Sequence, residues 1–167
     1  ILQNMGESVS VHLIAGRRYY QGQLDGQHYV VVLSRIGKVA AASTATTLIN
    51  KFGVRTVVFA GLAGGVHPDA LIGDIVIGSS IYQHDLDASP LFPKFSVPLL
   101  NKTFFDSDDV LSNTIKQSCL DYLDNDFDTA FKPEQKQRFF QRQKPQFHVG
   151  LIGSGDLFVN ALEKQNQ

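Results

Sequence analysis

The sequence predicts an α/β fold built on a mixed β-sheet, and three observations predict it. Runs of alternating apolar and polar residues, rich in β-branched and aromatic types, fill the first third of the chain as hairpin strands do. A helical stretch free of Gly and Pro, residues 38–52, then separates them from the fully apolar run Thr56-Val57-Val58-Phe59-Ala60, which is the spacing of a βαβ crossover. Glycine-rich turns stand directly after apolar runs, at Gly61-Leu62-Ala63-Gly64-Gly65 and Gly153-Ser154-Gly155-Asp156. An antiparallel hairpin followed by a parallel crossover makes the sheet mixed. The 167 residues, 43% hydrophobic and 19% charged, suit one domain with a substantial core and are too apolar for a disordered chain.

Taken in order, residues 10–14, 19–24 and 28–33 read as three strands, with Asp25-Gly26 as a two-residue hairpin turn between the last two. Ile36-Gly37 ends the strand pattern. Residues 38–52 carry Val39, Ala40, Ala41, Ala42, Ala45, Leu48 and Ile49 and form a helix that Gly53 terminates. Residues 56–60 should be a strand covered on both faces, and Gly73 introduces another over residues 74–82. Three prolines make residues 88–102 an irregular loop. Ser107, Asp108 and Asp109 supply the cap and acidic first turn of a helix with Leu111, Ile115, Cys119 and Tyr122 on one face. Residues 126–146 are polar, are interrupted by Pro133 and Pro145, and read as a surface excursion with one short helix over residues 134–142. Residues 149–152 read as a last buried strand, and a helix begins near Asn160. The whole, residues 1–167, reads as a single domain.

Several function classes fall away on composition. A net charge of −1 gives no basic face for nucleic acid or an anionic membrane. No apolar run approaches the ~18 residues of a membrane span, and the first residues lack the basic and apolar regions of a signal peptide. The single cysteine, Cys119, permits no intrachain disulfide and no Cys-rich metal site, and it lies on the apolar helix face. The chain therefore reads as cytoplasmic. Met5 stands inside the chain and a helix starts just before Gln167, so both ends read as cut.

Two turns could carry chemistry. The Gly61–Gly65 turn follows a buried strand, where open α/β sheets place ligands and bare backbone N–H groups can approach them. It matches neither the dinucleotide fingerprint nor the Walker A loop, and a plain tight turn explains it equally. In Gly153-Ser154-Gly155-Asp156-Leu157-Phe158-Val159-Asn160, Phe158 could floor a flat ring whose edge the Phe158 and Val159 backbone would read. The alternative is a helix capped by Asp156 with Phe158 in the core. His84-Asp85-Leu86-Asp87 offers half a metal site, without a second cluster at ligand spacing, so no metal and no cofactor is expected.

The order of these pieces is more specific than any one of them. Ser34-Arg35-Ile36-Gly37-Lys38-Val39-Ala40-Ala41-Ala42, Ala60-Gly61-Leu62-Ala63-Gly64-Gly65, Gly73-Asp74-Ile75-Val76-Ile77, Tyr82-Gln83-His84-Asp85-Leu86-Asp87 and Ser154-Gly155-Asp156-Leu157-Phe158-Val159 arrive in sequence. As a set they resemble the nucleoside phosphorylase superfamily, and within it the methylthioadenosine/S-adenosylhomocysteine nucleosidases, over roughly residues 18–160. The resemblance implies a three-layer α/β fold, a mixed central β-sheet flanked by helices, here incomplete at both ends. It also implies hydrolysis of the N-glycosidic bond of an adenine nucleoside: water attacks a ribosyl cation-like transition state while a carboxylic acid protonates purine N7. By the same likeness Phe158 stacks on adenine, Val159 reads its edge, Ala63 and Gly64 line the ribose, and Ile36 touches the 5′-alkylthio group. Phe92, Phe95 and Pro98 fall in the loop that reaches the neighbour's 5′ pocket in a homodimer.

The departures are equally specific. The family's water-orienting Glu falls before Ile1 and its proton-donating Asp beyond Gln167. Its ribose-gripping Met-Glu pair has no counterpart, because the one methionine is Met5. The resemblance thus leaves no catalytic residue within the chain, which is expected to be inactive by itself. Ser107-Asp108-Asp109 only superficially resembles the acid segment. Arg35 replaces a common Gly, and Phe59 and Leu62 stand where phosphorylases of the superfamily place a phosphate-binding Arg and Ser. Hydrolysis is therefore the main reading. A non-catalytic nucleoside-binding relative and a purine nucleoside phosphorylase are the alternatives.

Overall fold

Asp25 and Gly26 take φ values of 49° and 76°, the paired positive dihedrals that a two-residue type I′ turn requires. In the computed structural model, which describes residues 1–6 and 8–157, this turn joins β2 (Arg17–Leu24) to β3 (Gln27–Val32). β1 (Ser10–Ile14) pairs on the other edge of β2, giving an antiparallel sheet in the order β1-β2-β3. Tyr19, fully buried, stacks on Phe52 at 5.3 Å between ring centroids. Phe52 ends α1 (Lys38–Phe52), which stops at Gly53 in the left-handed conformation as the sequence predicts. Met5, 2% exposed, fills the space beside Gly22, where its methyl comes within 3.1 Å of the site of a Cβ. These elements form one compact unit, Ile1–Gly61, and a second begins at Leu62.

The strand expected over residues 56–60 does not form. Val57, Val58 and Phe59 are 51%, 60% and 78% exposed, and no described strand pairs with them. Apolar composition alone does not make a strand: the ladder needs a neighbour presenting a free edge in register. The parallel crossover expected from residues 28–33 is absent with it.

The second unit holds the parallel pair. β4 (Ile75–Gln83) lies between β5 (Phe105–Asp106), antiparallel to it, and β6 (Phe147–Ser154), parallel to it, so the sheet is mixed. β6 is not buried throughout as expected: Val149 and Leu151 are 56% and 52% exposed, while Ile152 is half-buried. α2 (Asp109–Asn125) starts at Asp108, whose side chain accepts the Leu111 N–H at 2.8 Å. Ser107 donates instead to the Gly78 carbonyl at 2.6 Å. Leu111, Ile115 and Cys119 are half-buried on α2, and Leu123 is its buried anchor. No described helix is long and apolar enough to cross a membrane.

Residues 126–146 hold two short helices, α3 (Phe127–Ala130) and α4 (Pro133–Phe139), where one was expected. Phe127 is 1% exposed and meets Phe131 and Phe140 at 5.3 and 5.2 Å, so the segment encloses its own aromatic cluster. Phe140 in turn covers Gly73. A side chain there would strike the ring, and a φ of 99° also favours glycine.

Next to Gly73, the Asp74 carboxylate is the densest polar node of the unit, its side chain 2% exposed. One oxygen accepts the Gln146 N–H at 2.8 Å. The other takes the Leu71 N–H and the His148 ring nitrogen, each at 3.0 Å. Arg142 Nε stands 3.5 Å away, an ion-pair contact rather than a hydrogen bond. Burial pushes this carboxyl up, but the bonds from Gln146, His148 and Leu71, with the Arg142 charge, outweigh it and hold the pKa below the usual carboxylate range. The stability this depression provides is present above the unfolded value of about 3.9, and it is lost as pH falls through the lower folded value. Asp74→Ala is expected to cost about 1–3 kcal/mol at pH 7, because it removes the charged acceptor of two backbone N–H groups and of His148. The loss should shrink as pH drops below ~4, because the unfolded carboxyl then takes up its proton before the folded one and the wild type loses that part of its stability. Urea unfolding of both proteins at pH 7 and 3 checks this, and an equal difference at the two values would contradict it.

Candidate functional site

β4 and β6 run parallel with Tyr82 beside Gly153 and Gln83 beside Ser154, so both deliver their following turns to one end of the sheet. Open α/β sheets bind ligands outside such carboxyl ends. There the His84 N–H donates to the Ser154 carbonyl at 3.0 Å, and the Asp156 N–H donates to Asp85 Oδ2 at 2.7 Å. The His84 ring lies on Gly155. A Cβ at that position would stand 2.8 Å from His84 Cδ2 and 2.9 Å from Asp85 Cγ, so the close approach needs glycine.

The loop after β4 returns to the same place. The Phe95 N–H donates to the Leu86 carbonyl at 2.9 Å, and the Phe95 ring meets Tyr82 edge-on at 5.9 Å. Phe104 lies 5.8 Å from Tyr82 on a tilted plane. Within the loop, the Ser89 side chain and N–H bond the Asp87 carboxylate and, with the Lys94 charge, hold its pKa below the usual range. The result is a turn-on-turn junction with an aromatic flank, its Asp85 and Asp87 carboxylates bonded to the Asp156 and Ser89 N–H groups.

The residues named from the sequence distribute unevenly. Phe95 belongs to this junction. Phe92 and Pro98 are half-buried in the same loop, while the side chains that loop exposes are Leu91, Leu99 and Leu100, at 84%, 88% and 64%. Ala63 and Gly64 lie in an exposed stretch without regular structure. Ile36 is in the first unit and is 99% exposed. Phe158 and Val159 lie outside the described residues, as does the helix expected near Asn160. Among the described residues, no three His, Cys, Asp or Glu gather as metal ligands. His84 and Asp85, read from the sequence as half a metal site, instead join the two turns. Sequence reasoning missed that junction along with Tyr82, Phe104 and the role of Gly155. The available signal was that two apolar runs each end in a small or acidic turn.

Comparison with known proteins finds similarity along the length of the chain. A match to the Phosphorylase superfamily spans residues 3–167. A 5′-methylthioadenosine/S-adenosylhomocysteine nucleosidase of Colwellia psychrerythraea is 49% identical over 73 residues, 44% of this chain and 30% of that protein. One from Staphylococcus aureus (strain JH9) is 28% identical over 168 residues, 100% of this chain and 64% of that protein. The structure of a futalosine hydrolase mutant of Helicobacter pylori superimposes with a TM-score of 0.78 at 26% identity, covering 99% of this chain and 66% of that one. The chain thus spans less than two thirds of the length of each.

The two glycines of the β6 turn should behave differently. Gly155→Ala forces the His84 ring and Asp85 aside and is expected to cost about 1–3 kcal/mol, the usual range for overpacking. A Cβ at Gly153 stands 3.4 Å from Tyr82 and 3.5 Å from His84, ordinary contact, so Gly153→Ala should be close to neutral. Thermal melts of the two variants check the contrast; equal melting temperatures would refute it.

Proposed function

The chain belongs to the phosphorylase superfamily, and from that membership we propose that it forms the nucleoside-binding part of an N-glycosyl hydrolase. Its substrates are adenine nucleosides such as 5′-methylthioadenosine or S-adenosylhomocysteine. The observation that carries the reading is the interlocked pair of turns after β4 and β6, built from two motifs of the resemblance and lying at the ligand-binding end of a parallel strand pair. The names of the Colwellia and Staphylococcus relatives support the substrate class.

In this reading Phe158 stacks on adenine, and the backbone of Val159 reads the edge of the base. Ala63 and Gly64 line the ribose, and Ile36 meets the 5′ substituent. Protonation of N7 makes adenine a better leaving group, and water completes the displacement. The acid, the water-orienting Glu and the ribose clamp come from family segments with no counterpart among these 167 residues, so the chain by itself binds without turning over. Phe59 and Leu62 bring no donor to a phosphate, and the Arg35 guanidinium is engaged by the Gly16 carbonyl. Water is therefore favoured over phosphate as nucleophile. The likeness to futalosine hydrolase favours a second reading, hydrolysis of futalosine.

Adenine release from 5′-methylthioadenosine, with and without phosphate, tests the proposal on the 167-residue chain and on the full encoded protein. The full protein should release adenine without phosphate, and the 167-residue chain should bind adenine without turnover. A phosphate requirement would overturn hydrolysis. Cleavage of futalosine alone would select the second reading.

We also propose a homodimer. The small residues Ala40, Ala41 and Ala42 let the α1 surface pack closely, and the loop of Phe92, Phe95 and Pro98 exposes three leucines. Sedimentation at micromolar concentration should show a species near twice 18.4 kDa; a monomer alone would refute it.

A further inference from the structure

We propose that Arg35, with Arg17 on the same turn, selects nucleosides whose 5′ substituent ends in a carboxylate. The inference deepens the function proposed above and rests on its assignment of Ile36 to the 5′ substituent. β1 and β2 are joined by Ala15 and Gly16, whose φ values of 47° and 71° make a second two-residue I′ turn. Two arginines bond the carbonyls of that turn. Arg17 donates from Nη1 to Ala15 at 3.3 Å and from Nε to Ser34 at 3.2 Å, while Arg35 donates from Nη2 to Gly16. The Arg35 guanidinium lies against Gly16, where a Cβ would stand 3.4 and 3.9 Å from its two terminal nitrogens. Each of these acceptors is an uncharged backbone carbonyl. Among the described residues no carboxylate forms an ion pair with either arginine.

A guanidinium carries five N–H groups, and these carbonyls take one from Arg35 and two from Arg17. The bonds therefore fix two positive forks at one turn and leave donors over, and such a fork matches a carboxylate bidentately. Like charges gathered without a counter-charge repel, so an anion here relieves them. Arg35 also holds a φ of 70°, which glycine takes without strain, and its bond to Gly16 offsets only part of that cost. The next residue supplies the rest of the ligand's shape. Ile36 is 99% exposed and Arg35 is exposed beside it, so an apolar contact is followed directly by a charged fork. That order fits a thioether chain ending in a carboxylate, as in S-adenosylhomocysteine. The 5′ chain of 5′-methylthioadenosine ends in a methyl group and offers the fork nothing. Free phosphate is the other anion a fork takes, but the superfamily's phosphate-binding positions are Phe59 and Leu62 here, which carry no donor.

The test uses the full encoded protein with Arg35→Gly, Arg35→Gln and Arg35→Lys. The measurement is kcat/KM for S-adenosylhomocysteine, for its carboxyl methyl ester and for 5′-methylthioadenosine, with and without phosphate, alongside thermal melts. The wild type should prefer the acid to the ester by about tenfold, the equivalent of one hydrogen bond to a charged group. Arg35→Gly, which suits the backbone at this φ, should bring acid and ester to nearly equal values. The ratio of the two cancels a general loss of activity or of folded protein, which is all that a scaffold role would produce. Arg35→Gln, uncharged, should lose the preference likewise and stands in should the glycine variant fold poorly. Arg35→Lys keeps the charge without the fork and should retain part of the preference. A wild type that cleaves acid and ester equally, or an Arg35→Gly that still prefers the acid, would overturn the proposal. So would a stimulation by phosphate that disappears in Arg35→Gly, which would assign the fork to free phosphate. A wild type that cleaves none of the three nucleosides would overturn the proposed function, and this role with it, and is distinguishable from all of these outcomes.

Discussion

The Asp74 carboxylate gathers partners from segments that the sequence keeps far apart. Leu71 precedes it in a turn, while Gln146, His148 and Arg142 come about seventy residues later. A buried carboxylate left without them would be costly, so the start of β4 and the start of β6 are held together or neither is stable. The bond from the Gln146 N–H fixes where β6 begins beside β4, and the parallel register follows from there: Ile75 beside Phe147 at one end, Gln83 beside Ser154 at the other. The junction of the two turns thus depends on a charge that takes no part in it. An anchor at the amino ends of two strands and adaptable turns at their carboxyl ends is the division a preorganised site requires.

The aromatic cluster of residues 126–146 serves the same anchor. Phe140 lies over Gly73, Arg142 donates to the Asp69 carbonyl, and Gln141 bonds Ile72 through its backbone and its side chain. A segment that looks like a surface ornament therefore braces the turn in front of Asp74, although Ile72 in that turn stays 67% exposed. In the first unit, arginines do comparable work. Arg17 donates to Ser34 and Ala15, and Arg35 donates to Gly16, tying the β1–β2 turn to the segment before α1. Arg35 does this at a φ of 70°, a conformation that costs a non-glycine residue roughly 1–3 kcal/mol. Its hydrogen bond offsets part of that cost and gives a physical reason for an arginine where the resemblance has glycine.

Legibility in the sequence tracked how local each cause was. The Asp25-Gly26 turn, the stop of α1 at Gly53 and the cap of α2 at Asp108 are decided within a few residues, and all three were readable. The composition of residues 56–60 suggested a buried strand, but a strand is a property of two segments, and no described partner pairs with this one. β5, two residues long, exists only because β4 offers it an edge. Phe127, Phe131 and Phe140 hide in a polar stretch because three rings meet across two helices rather than along one face. At the site, the glycines of the β6 turn were legible as candidates, but the purpose of Gly155 was not. The ring that demands it belongs to His84, 71 positions earlier, and only the register of β4 on β6 brings the two together.

The same register decides which groups meet at the junction of the two turns. At the junction the His84 N–H meets the Ser154 carbonyl, the His84 ring meets Gly155 and the Asp85 carboxylate meets the Asp156 N–H, so side chains of the β4 turn meet the backbone of the β6 turn. The loop after β4 is tied to the same place, because Phe95 sets its ring on Tyr82 and its N–H on the Leu86 carbonyl. Substitutions in that loop are therefore felt at the junction, because residues that share partners do not contribute independently.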